Sequence, residues 1–267
     1  MSVVSNCRDN KGLKTNAVKR KIKILVLLKE KESIDVETLT LMFGISKVTA
    51  RGDLDDLHKK GLLIRTHGGA MLPENLSLVR VLSNTLKEHE NEKYAICKEA
   101  LSFITPEMNI IIDSGSTTIH LAKMVHSIPL SVITNSVLVV TELMDSEHVE
   151  LFVAGGVLRK ASLSLMGDPS SYFFSQVHAD ILFLGSSGFS IEKGVSCTNI
   201  IEAQTKKQMI SHASRVVLLA DSSKIEKMFI AHVCDWSEID YFITDSLEEE
   251  DKKRLEEKGV HVIIAPL

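Results

Sequence analysis

Seven predicted strands, most of them followed by a polar or glycine-containing turn, constrain the fold of this chain more than any other feature. Several are continuous apolar runs, which are typical of parallel strands covered on both faces, and helical patterns separate them. In an open α/β sheet of this kind, the ligand crevice lies outside the carboxyl ends of the strands. We therefore predict such a sheet, with its functional residues in those turns. The predicted strands are 109–113, 131–134, 150–154, 180–184, 215–220, 240–243 and 261–264.

The first predicted strand ends in DSGSTT, and a helical pattern follows this turn. The free N–H groups in the first turn of a helix point outward, and the helix dipole favours negative charge there. Gly115 allows a ligand to approach the backbone, and the hydroxyl groups add donors. The Asp113 carboxylate would repel phosphate but can accept from sugar hydroxyls. The ligand-binding candidates in this turn are Asp113, Ser114, Gly115, Ser116, Thr117 and Thr118.

The turns after two other strands add polar groups to the same expected site. Lys224, in the sequence DSSK, is a mobile cation that can neutralise a phosphate, and Asp221 can position this lysine or the sugar. Asn135 and Ser136, at the end of another strand, supply neutral donors and acceptors. Together these turns predict a site for a phosphorylated metabolite.

The N-terminal region has a different organisation, with helix signals in close succession. The pattern predicts a helix over 17–31, then a short helix with Asp35 as its N-cap and Gly44 as its end. A third helix is predicted from Ser46 to the residue before Gly61. The segment LLIRTHGGAML that follows reads as a β-hairpin whose two adjacent glycines supply the turn. This order of elements predicts a winged helix-turn-helix.

The third helix has one apolar face and one face suited to DNA. Ala50, Leu54 and Leu57 fall on the first face and are expected to pack inward. Thr49 either donates to a phosphate or stays within the helix cap. The alternative is a three-helix interaction module with an ordinary solvated basic face. The DNA-binding candidates are Ser46, Lys47, Val48, Thr49 and Arg51 on the helix, with Arg65 and His67 in the hairpin.

Charge is distributed unevenly along the chain. Residues 1–72 contain 14 Lys and Arg against 8 Asp and Glu, a net charge of +6. The remaining residues contain 17 against 27, a net charge of −10. A basic front on an acidic body indicates that contact with nucleic acid is confined to the N-terminal region, although a solubilising basic tail would give the same count.

Composition and residue spacing exclude several classes of protein, among them membrane-spanning, secreted and metal-binding proteins. A length of 267 residues suits two domains, and no run of 18 apolar residues would span a membrane. The polar N-terminus lacks the apolar core of a signal peptide. The histidines show no HxH or HExxH spacing, and the cysteines, which form no CxxC pair, are expected to be free thiols in a reducing cytoplasm. We expect no metal and no cofactor. The four cysteines are Cys7, Cys97, Cys197 and Cys234.

The run GISKVTARGDLDDLHKKGLLIRTHGGAML resembles the N-terminal module of DeoR-type bacterial transcriptional regulators. The signature of that family is a Ser, two variable residues and Thr-Ile-Arg-Arg-Asp-Leu, followed by an Arg-x-His-Gly-Gly-Ala wing. Two positions depart from it: Ala50 replaces the Ile and packs less volume, and Gly52 replaces the second Arg, which removes a possible phosphate contact. The matching residues are Ser46, Thr49, Arg51, Asp53, Leu54, Arg65, His67, Gly68, Gly69 and Ala70.

The resemblance continues to about residue 264 through an ordered series of motifs. It implies a sensor domain, similar to ribose-5-phosphate isomerase, that binds a phosphorylated sugar and thereby changes operator binding. Ser187 stands where the family usually has an Asp, which indicates altered contacts to a sugar hydroxyl. The motifs are Glu92-Lys93, DSGSTT, TNS at 134–136, Gly155-Gly156, Gly167, Gly185 and Gly188, Gly194, DSSK at 221–224, and Thr244-Asp245.

A sugar-phosphate isomerase remains the alternative. Isomerisation needs a carboxylate base and a cation that steadies the enediolate, and the isomerases supply them from a Lys-Gly-Gly-Gly segment and a following Glu. The corresponding segment here, GVSCTNIIEAQTKKQMI, lacks the glycine cluster. Gapless counting places Lys206 where the Glu belongs and Cys197 near the Lys, with Glu202 close by. We expect binding without catalysis, with Lys206 in the effector site and no catalytic residue.

The expected fold is α/β: an N-terminal winged helix-turn-helix plus a C-terminal Rossmann-like open α/β domain. The expected function is that of a cytoplasmic transcription regulator, a repressor of a carbohydrate-utilisation operon. Its partners would be double-stranded operator DNA and a phosphorylated sugar, and pseudo-symmetric operators favour a homo-oligomer, either dimer or tetramer. The expected domains are a flexible tail 1–16, the winged helix-turn-helix 17–72, a linker 73–90 and the effector domain 91–267.

Overall fold

The structure is a computed structural model that describes residues 17–31, 33–71 and 86–267. The chain divides into two compact units, with the division between Val81 and Leu82. The expected tail 1–16 lies outside the described residues, and so does the expected linker up to residue 85. No helix among the described residues is long and apolar enough to cross a membrane.

The described residues of the first unit form three helices and a three-stranded antiparallel sheet. The helices begin and end where they were predicted because their caps form as expected. Asp35 accepts from the Thr38 N–H at 2.6 Å, and Ser46 accepts from the Thr49 N–H at 3.1 Å. Gly44, with φ of 62°, ends the second helix. The elements are α1 (Ala17–Lys31), β1 (Ser33–Asp35), α2 (Val36–Phe43), α3 (Lys47–Lys59), β2 (Ile64–Arg65) and β3 (Gly69–Met71).

The predicted hairpin forms, but one detail of it was wrong. Gly69, expected in the turn, lies in β3 and pairs with Asp35 of β1, a strand that was not predicted. A Cβ atom on Gly69 would lie 2.0 Å from the Ile34 carbonyl oxygen. Only glycine therefore lets β3 approach β1 this closely, and the sheet has the order β1-β3-β2.

One apolar cluster holds the first unit together. The inward face predicted for α3 is confirmed, since Ala50, Leu54 and Leu57 are all buried. They pack with Ile24 and Leu28 of α1 in the same cluster. The face of α3 that remains exposed is therefore fixed by packing, not by the polarity of its residues.

The second unit contains a seven-stranded parallel sheet. All seven predicted strands are confirmed, and their ends differ from the prediction by at most one residue. The strands are β4 (Asn109–Ile112), β5 (Leu130–Thr134), β6 (Val149–Val153), β9 (Ile181–Gly185), β12 (Val216–Leu219), β14 (Tyr241–Thr244) and β15 (His261–Ile264).

The order of these strands determines where a ligand can bind. Across the sheet they run β15-β14-β12-β9-β4-β5-β6, so the chain builds outward from β4 in one direction and then outward from β9 in the other. The connections that leave β4 and β9 therefore diverge to opposite sides. Such a switch point between adjacent parallel strands is where open α/β sheets form their ligand crevice.

Helices cover both faces of the sheet, as the continuous apolar strands predicted. Ile110 and Ile112 of β4 point into one buried cluster, and Ile111 points into another on the opposite face. The helices are α4 (Glu90–Ala100), α5 (Thr118–Val125), α6 (Val137–Leu143), α7 (Asp168–Ser175), α8 (Ile200–Ser211) and α9 (Glu249–Glu257).

Two small antiparallel sheets were not predicted. One is a hairpin, β7–β8, and the other has the order β10-β11-β13. Their strands have only three or four residues, too few for a periodic pattern. These strands are β7 (Val157–Arg159), β8 (Ser164–Met166), β10 (Gly188–Ser190), β11 (Gly194–Cys197) and β13 (Ala231–Cys234).

The cysteines of the described part of the chain are free thiols, as expected. Cys97, Cys197 and Cys234 are all buried and unpaired with one another. Burial raises the pKa of Cys97 and of Cys234 to about 12. These two thiols are therefore protonated and unreactive at neutral pH. Cys7 lies outside the described residues.

Candidate functional sites

The exposed face of α3 carries the residues expected to contact DNA. Lys47, Val48 and Arg51 are all exposed near the N-terminal end of the helix. The side chain of Val48 is 78% exposed. An apolar group beside two cations suits a base edge with a methyl group flanked by phosphates.

Asp53, on the opposite side of α3, anchors the helix to α1. Its carboxylate accepts from Arg20 through Nε at 2.5 Å and through Nη2 at 3.1 Å, and it is only 5% exposed. The hydrogen bond that Arg20 donates to Asp53 raises the pKa of Arg20. A second pair, Lys21 with Asp56 at 2.6 Å, joins the same two helices. The Asp of the signature motif therefore joins α3 to α1.

Four of the expected DNA contacts are engaged within the unit. The Arg65 guanidinium lies 2.8 Å from Asp55 and donates to the Gly69 carbonyl at 2.5 Å, so it ties the wing to α3. The Thr49 hydroxyl lies 2.9 Å from that of Ser46 and stays within the cap. Lys47 is paired with Glu37 at 2.7 Å across exposed surface, a contact that DNA phosphate can displace at little cost. His67, at the tip of the wing, is exposed.

Gly52 offers a direct test of the departure from the family signature. A Cβ atom there would meet nothing within 4 Å, and its φ is that of an ordinary helix residue. Gly52→Ala is therefore expected to stabilise α3 by about 1 kcal/mol through helix propensity alone. The α3 amides should then exchange hydrogen about fivefold more slowly. Unchanged exchange would show that an unseen contact opposes a side chain at this position.

The switch point of the parallel sheet is occupied by a buried ion pair. Asp113, at the end of β4, accepts from the Gly185 N–H of β9 at 2.9 Å and is fully buried. The ammonium of Lys206 on α8 contacts the same carboxylate oxygen and lies 3.2 Å from the Gly185 carbonyl. Burial lowers the pKa of Lys206, but the charges of Asp113 and Glu202 outweigh it and raise that pKa. The pair therefore lies at the switch point, beside the ends of β4 and β9.

Glu202 extends this charge network toward the β7–β8 hairpin. Its carboxylate lies 3.9 Å from Lys206 and accepts from Arg159 at 3.0 Å. Arg159 also donates to the Thr198 hydroxyl at 3.0 Å. The carboxylate that stood closest to the position of a catalytic base is therefore committed to two cations, one on each side.

The DSGSTT turn combines structural hydroxyls with groups that remain accessible. Thr118 is fully buried and donates to the carbonyls of Asp113 at 2.6 Å and Gly115 at 3.1 Å, so its hydroxyl shapes the turn. Gly115 and Ser116 are partly exposed at the tip, whereas Ser114 and Thr117 lie deeper, at 5% and 6% exposure. The expected helix begins directly after Thr117. An anion at this tip would meet the backbone N–H groups of the turn.

Asn135 and Ser136 follow β5, next to β4 in the sheet. The Asn135 amide donates to the Leu165 carbonyl at 3.0 Å, and its Oδ1 is buried without a hydrogen-bond partner. Ser136 caps α6 by accepting from the Val139 N–H at 3.3 Å. Of the two residues, Asn135 has an unsatisfied acceptor to which a ligand hydroxyl can donate a hydrogen bond.

The DSSK turn also contains a buried acceptor without a hydrogen-bond partner. Asp221, 1% exposed, accepts from Ser223 through Oδ1, and its Oδ2 is buried without a partner. Lys224 and Ser187 are partly exposed. Asp245 accepts from the Ser222 backbone and hydroxyl at 2.7 and 2.8 Å and acts as a turn residue. Two buried acceptors, one on each side of the switch point, thus lack donors.

The effector-site candidates left out two residues of this region, one of which, Lys93, belongs to the motif Glu92-Lys93. Lys93 on α4 is 1% exposed, and burial lowers its pKa, Asp221 raises it and Lys224 lowers it. Lys93 shares a helix face with Ile96, Cys97 and Ala100. A lysine on an otherwise apolar helix face was the feature of the sequence that could have indicated its burial. Arg159 had no comparable signal, because its strand has three residues.

Comparison with known proteins agrees with both units. Residues 20–75 match the model of the DeoR-like helix-turn-helix domain, and residues 88–246 match that of the DeoR C-terminal sensor domain. A helix-turn-helix joined to a sensor domain defines the class of ligand-responsive transcriptional regulators. Within that class, the chain belongs to the DeoR family.

Relatives at about 30% identity extend over nearly the whole chain. The putative aga operon transcriptional repressor of Escherichia coli O157:H7 is 32% identical over 94% of both chains. The transcriptional repressor GlcR of Bacillus subtilis is 32% identical over 92% of this chain and 95% of its own length. Among solved structures, ribose 5-phosphate isomerase A from Methanocaldococcus jannaschii overlaps 51% of this chain and 55% of its own, with 19% identity and a TM-score of 0.39.

Proposed function

We propose that this protein is a repressor of a carbohydrate-utilisation operon whose operator binding is weakened by a phosphorylated sugar. The observation that carries the proposal is the pair of buried acceptors, Asn135 Oδ1 and Asp221 Oδ2, in the turns that follow β5 and β12, the second of which also contains Lys224. Buried acceptors are costly unless a ligand hydroxyl or an ordered water supplies the donor, and two of them at the carboxyl ends of strands of one sheet suit a ligand with several hydroxyl groups. The repressors named among the relatives support the same role.

On the DNA side, Arg51 and Val48 are proposed to read bases, with Lys47 on phosphate and His67 at the backbone near the wing. All four are exposed on one unit with a basic front. Arg65, Ser46 and Thr49 are proposed to act chiefly by shaping that surface, because their polar groups are already engaged.

On the effector side, the phosphate is proposed to bind at the tip of the DSGSTT turn, near Gly115 and Ser116, with Lys224 as counter-ion. Asn135 and Asp221 would accept from sugar hydroxyls, and Ser187 would donate where the family usually has an acid. Asp113 and Lys206 are proposed to support the crevice floor, because each already neutralises the other.

Binding without catalysis is the proposal for this crevice. The isomerase alternative requires a carboxylate free to remove a proton from carbon. Glu202 is flanked by Arg159 and Lys206, and Lys206 in turn is held by Asp113. Turnover of ribose 5-phosphate at ordinary enzymatic rates would overturn this part of the proposal.

Replacement of Lys224 tests the effector site. Lys224→Ala is expected to weaken binding of sugar monophosphates about tenfold or more, because one charge-assisted contact to the phosphate is lost. Affinity for the flanking intergenic DNA, measured without ligand, should not change. Calorimetry gives the first quantity and gel-shift titration the second.

Lys227→Ala is the matched control for that experiment. Lys227 is exposed and lies three residues further along the same loop. Its replacement by Ala therefore removes an equal charge outside the proposed phosphate contact. Equal losses in the two variants would indicate general electrostatic attraction and would remove Lys224 from the site.

We further propose a homo-oligomer, dimer or tetramer, since symmetric operators are bound by symmetric proteins. Its location would be the cytoplasm, where a bacterial regulator meets the chromosome. The domain boundaries are proposed as 17–72 for the DNA-binding unit and 91–267 for the effector unit.

A further inference from the structure

The β7–β8 hairpin lies beside the turn that follows β5. Ser164 of β8 forms a bridge with Ser136 of that turn. The Leu165 N–H donates to the Asn135 carbonyl at 2.8 Å, and the side-chain amide of Asn135 donates to the Leu165 carbonyl at 3.0 Å. Arg159 of β7 is paired with Ser164. The backbone of Arg159 is therefore two strand spacings, about 10 Å, from that of Ser136.

Close backbone contacts hold this hairpin in place. A Cβ atom on Gly156, whose φ is 141°, would lie 2.6 Å from the Met166 carbonyl oxygen, so glycine allows the two strands to close here. The Ser170 hydroxyl of α7 is buried and donates to the carbonyls of Gly155 at 2.5 Å and Leu165 at 3.0 Å. Both sides of the hairpin are thus attached to α7, and its position is fixed by the fold.

The guanidinium of Arg159 is directed from the hairpin toward the switch point of the large sheet. Its Nη1 donates to Glu202 of α8 at 3.0 Å, and Glu202 lies 3.9 Å from Lys206. The ammonium of Lys206 contacts Asp113 at the end of β4. A continuous series of charged groups therefore joins the hairpin to the turn where the effector is proposed to bind.

The guanidinium also has donors to spare. Its Nη groups donate to Ser162 at 3.3 Å, to Glu202 at 3.0 Å and to Thr198 at 3.0 Å. The Nε–H and one Nη2–H thus have no acceptor in the described part of the chain, and the side chain is 22% exposed. In the neighbouring turn, Asn135 Oδ1 is a buried acceptor without a donor. Sugar hydroxyls both donate and accept, so they can supply a partner to each of these groups.

The proposed phosphate counter-ion lies on the other side of the switch point. Four strands of the sheet run in the order β12-β9-β4-β5. Lys224 follows β12, whereas the hairpin lies beside the end of β5, so the two flank β9 and β4 from opposite sides. A ligand whose phosphate is bound beside Lys224 therefore extends its sugar toward Arg159.

The charges around Arg159 indicate the chemistry of that end of the ligand. Asp113 and Glu202 contribute two negative charges, and Lys206 and Arg159 contribute two positive charges, so the network is neutral as a whole. A second phosphate beside Arg159 would also face Glu202, and like charges oppose such an arrangement. Neutral oxygens meet no such repulsion, and their hydrogen bonds from a charged donor are about twice as strong as those from a neutral one.

We propose that Arg159 binds sugar oxygens at the end of the effector distant from its phosphate, and that the β7–β8 hairpin thereby determines which sugar monophosphate the protein recognises. The inference rests on the proposed effector site. It adds a specificity-determining residue to that site, and it defines the ligand class as monophosphates with hydroxyl or carbonyl oxygens at the distant end.

The test uses the full-length protein in calorimetric titrations with a panel of hexose and pentose monophosphates. Arg159→Lys keeps the positive charge beside Glu202 but replaces the planar fork of donors with a single ammonium. We expect about tenfold weaker binding of the sugar monophosphate that the wild type binds most tightly, because a charged donor to the sugar is lost. If Arg159 only neutralised Glu202, lysine would serve equally and the affinity would not change.

Lys160→Gln is the matched control. Lys160 is the next residue of the hairpin and is exposed, so its replacement removes a cation outside the proposed contact and should leave the affinities unchanged. Thr198→Val gives an independent reading if urea denaturation, followed by the fluorescence of Trp236, shows that Arg159→Lys does not fold. It removes the hydroxyl that accepts from Arg159 Nη2, so binding of the same sugar monophosphate should weaken about threefold.

The neutral end of the ligand is tested with the wild type. A hexose bisphosphate is expected to bind about tenfold more weakly than the corresponding monophosphate, because its second phosphate would face Glu202. Equal affinity for the two would overturn the ligand class.

The panel also separates this inference from the effector proposal. Wild-type affinities in folded Arg159→Lys, or in Thr198→Val should Arg159→Lys not fold, would remove Arg159 from the site and leave the effector proposal intact. An equal fold-loss for every member of the panel would indicate a contact to the phosphate they share, and an equal loss in Lys160→Gln would indicate general electrostatic attraction; either result would overturn the inference. If no member of the panel gives heat with the wild type, the effector proposal fails and the role of Arg159 fails with it.

Discussion

Asp113→Asn is expected to destabilise the second unit by about 3–5 kcal/mol, because it leaves the Lys206 ammonium buried without its main counter-charge. Both side chains are almost completely excluded from solvent, at 0% and 3% exposure. Since Trp236 is the only tryptophan and is buried in the second unit, its fluorescence during urea denaturation reports this unit alone.

The double variant Asp113→Asn with Lys206→Met is the control for that prediction. The double variant removes both charges, so its loss of stability should be smaller than the sum of the two single losses by about 1–3 kcal/mol. Additive losses would show that the two groups do not interact.

The raised pKa of Lys206 means that the stabilisation by the pair is present throughout neutral pH. This stabilisation is lost only as the pH rises above the ordinary pKa of lysine and through the raised pKa of Lys206.

Arg51→Ala is expected to weaken operator binding by about 5- to 150-fold, the range for loss of one bidentate contact to a base. Arg51 is exposed on the face of α3 that packing leaves free, so the change should not affect folding. Gel-shift titration with the intergenic DNA measures the loss.

Lys59→Ala is the matched control for Arg51→Ala. Lys59 is exposed in the last turn of the same helix, far from the N-terminal end that carries the proposed base contacts. It should reduce affinity only slightly and equally for operator and unrelated DNA. Retention of operator binding by Arg51→Ala would remove α3 as the reading helix.

The sequence was sufficient to predict the large sheet and the helices of the first unit, because their signals are local. Apolar runs such as the one at 109–112 and caps such as Asp35 and Ser46 act within a few residues. The small sheets could not be predicted this way. They depend on close contacts between distant segments, such as Gly188 against the Lys227 carbonyl, which a Cβ atom would approach to 2.0 Å.

The candidate site was predicted in part for the same reason. Strand ends identified the turns that contain Asp113, Asn135 and Asp221, because parallel strands bring their carboxyl ends to one edge. What each group does there depends on partners far away in sequence. Lys206, for example, lies 93 residues from Asp113 in the sequence, and only the fold shows that the two side chains form an ion pair.

Occupancy of the intergenic operator by the wild-type protein, titrated with a panel of hexose and pentose monophosphates, tests the central claim most directly. The account predicts that at least one of them lowers operator affinity about tenfold, within the usual range of coupling between two sites, and that the corresponding unphosphorylated sugar does not. Unchanged occupancy across the whole panel, with no heat of binding in calorimetry, would contradict it.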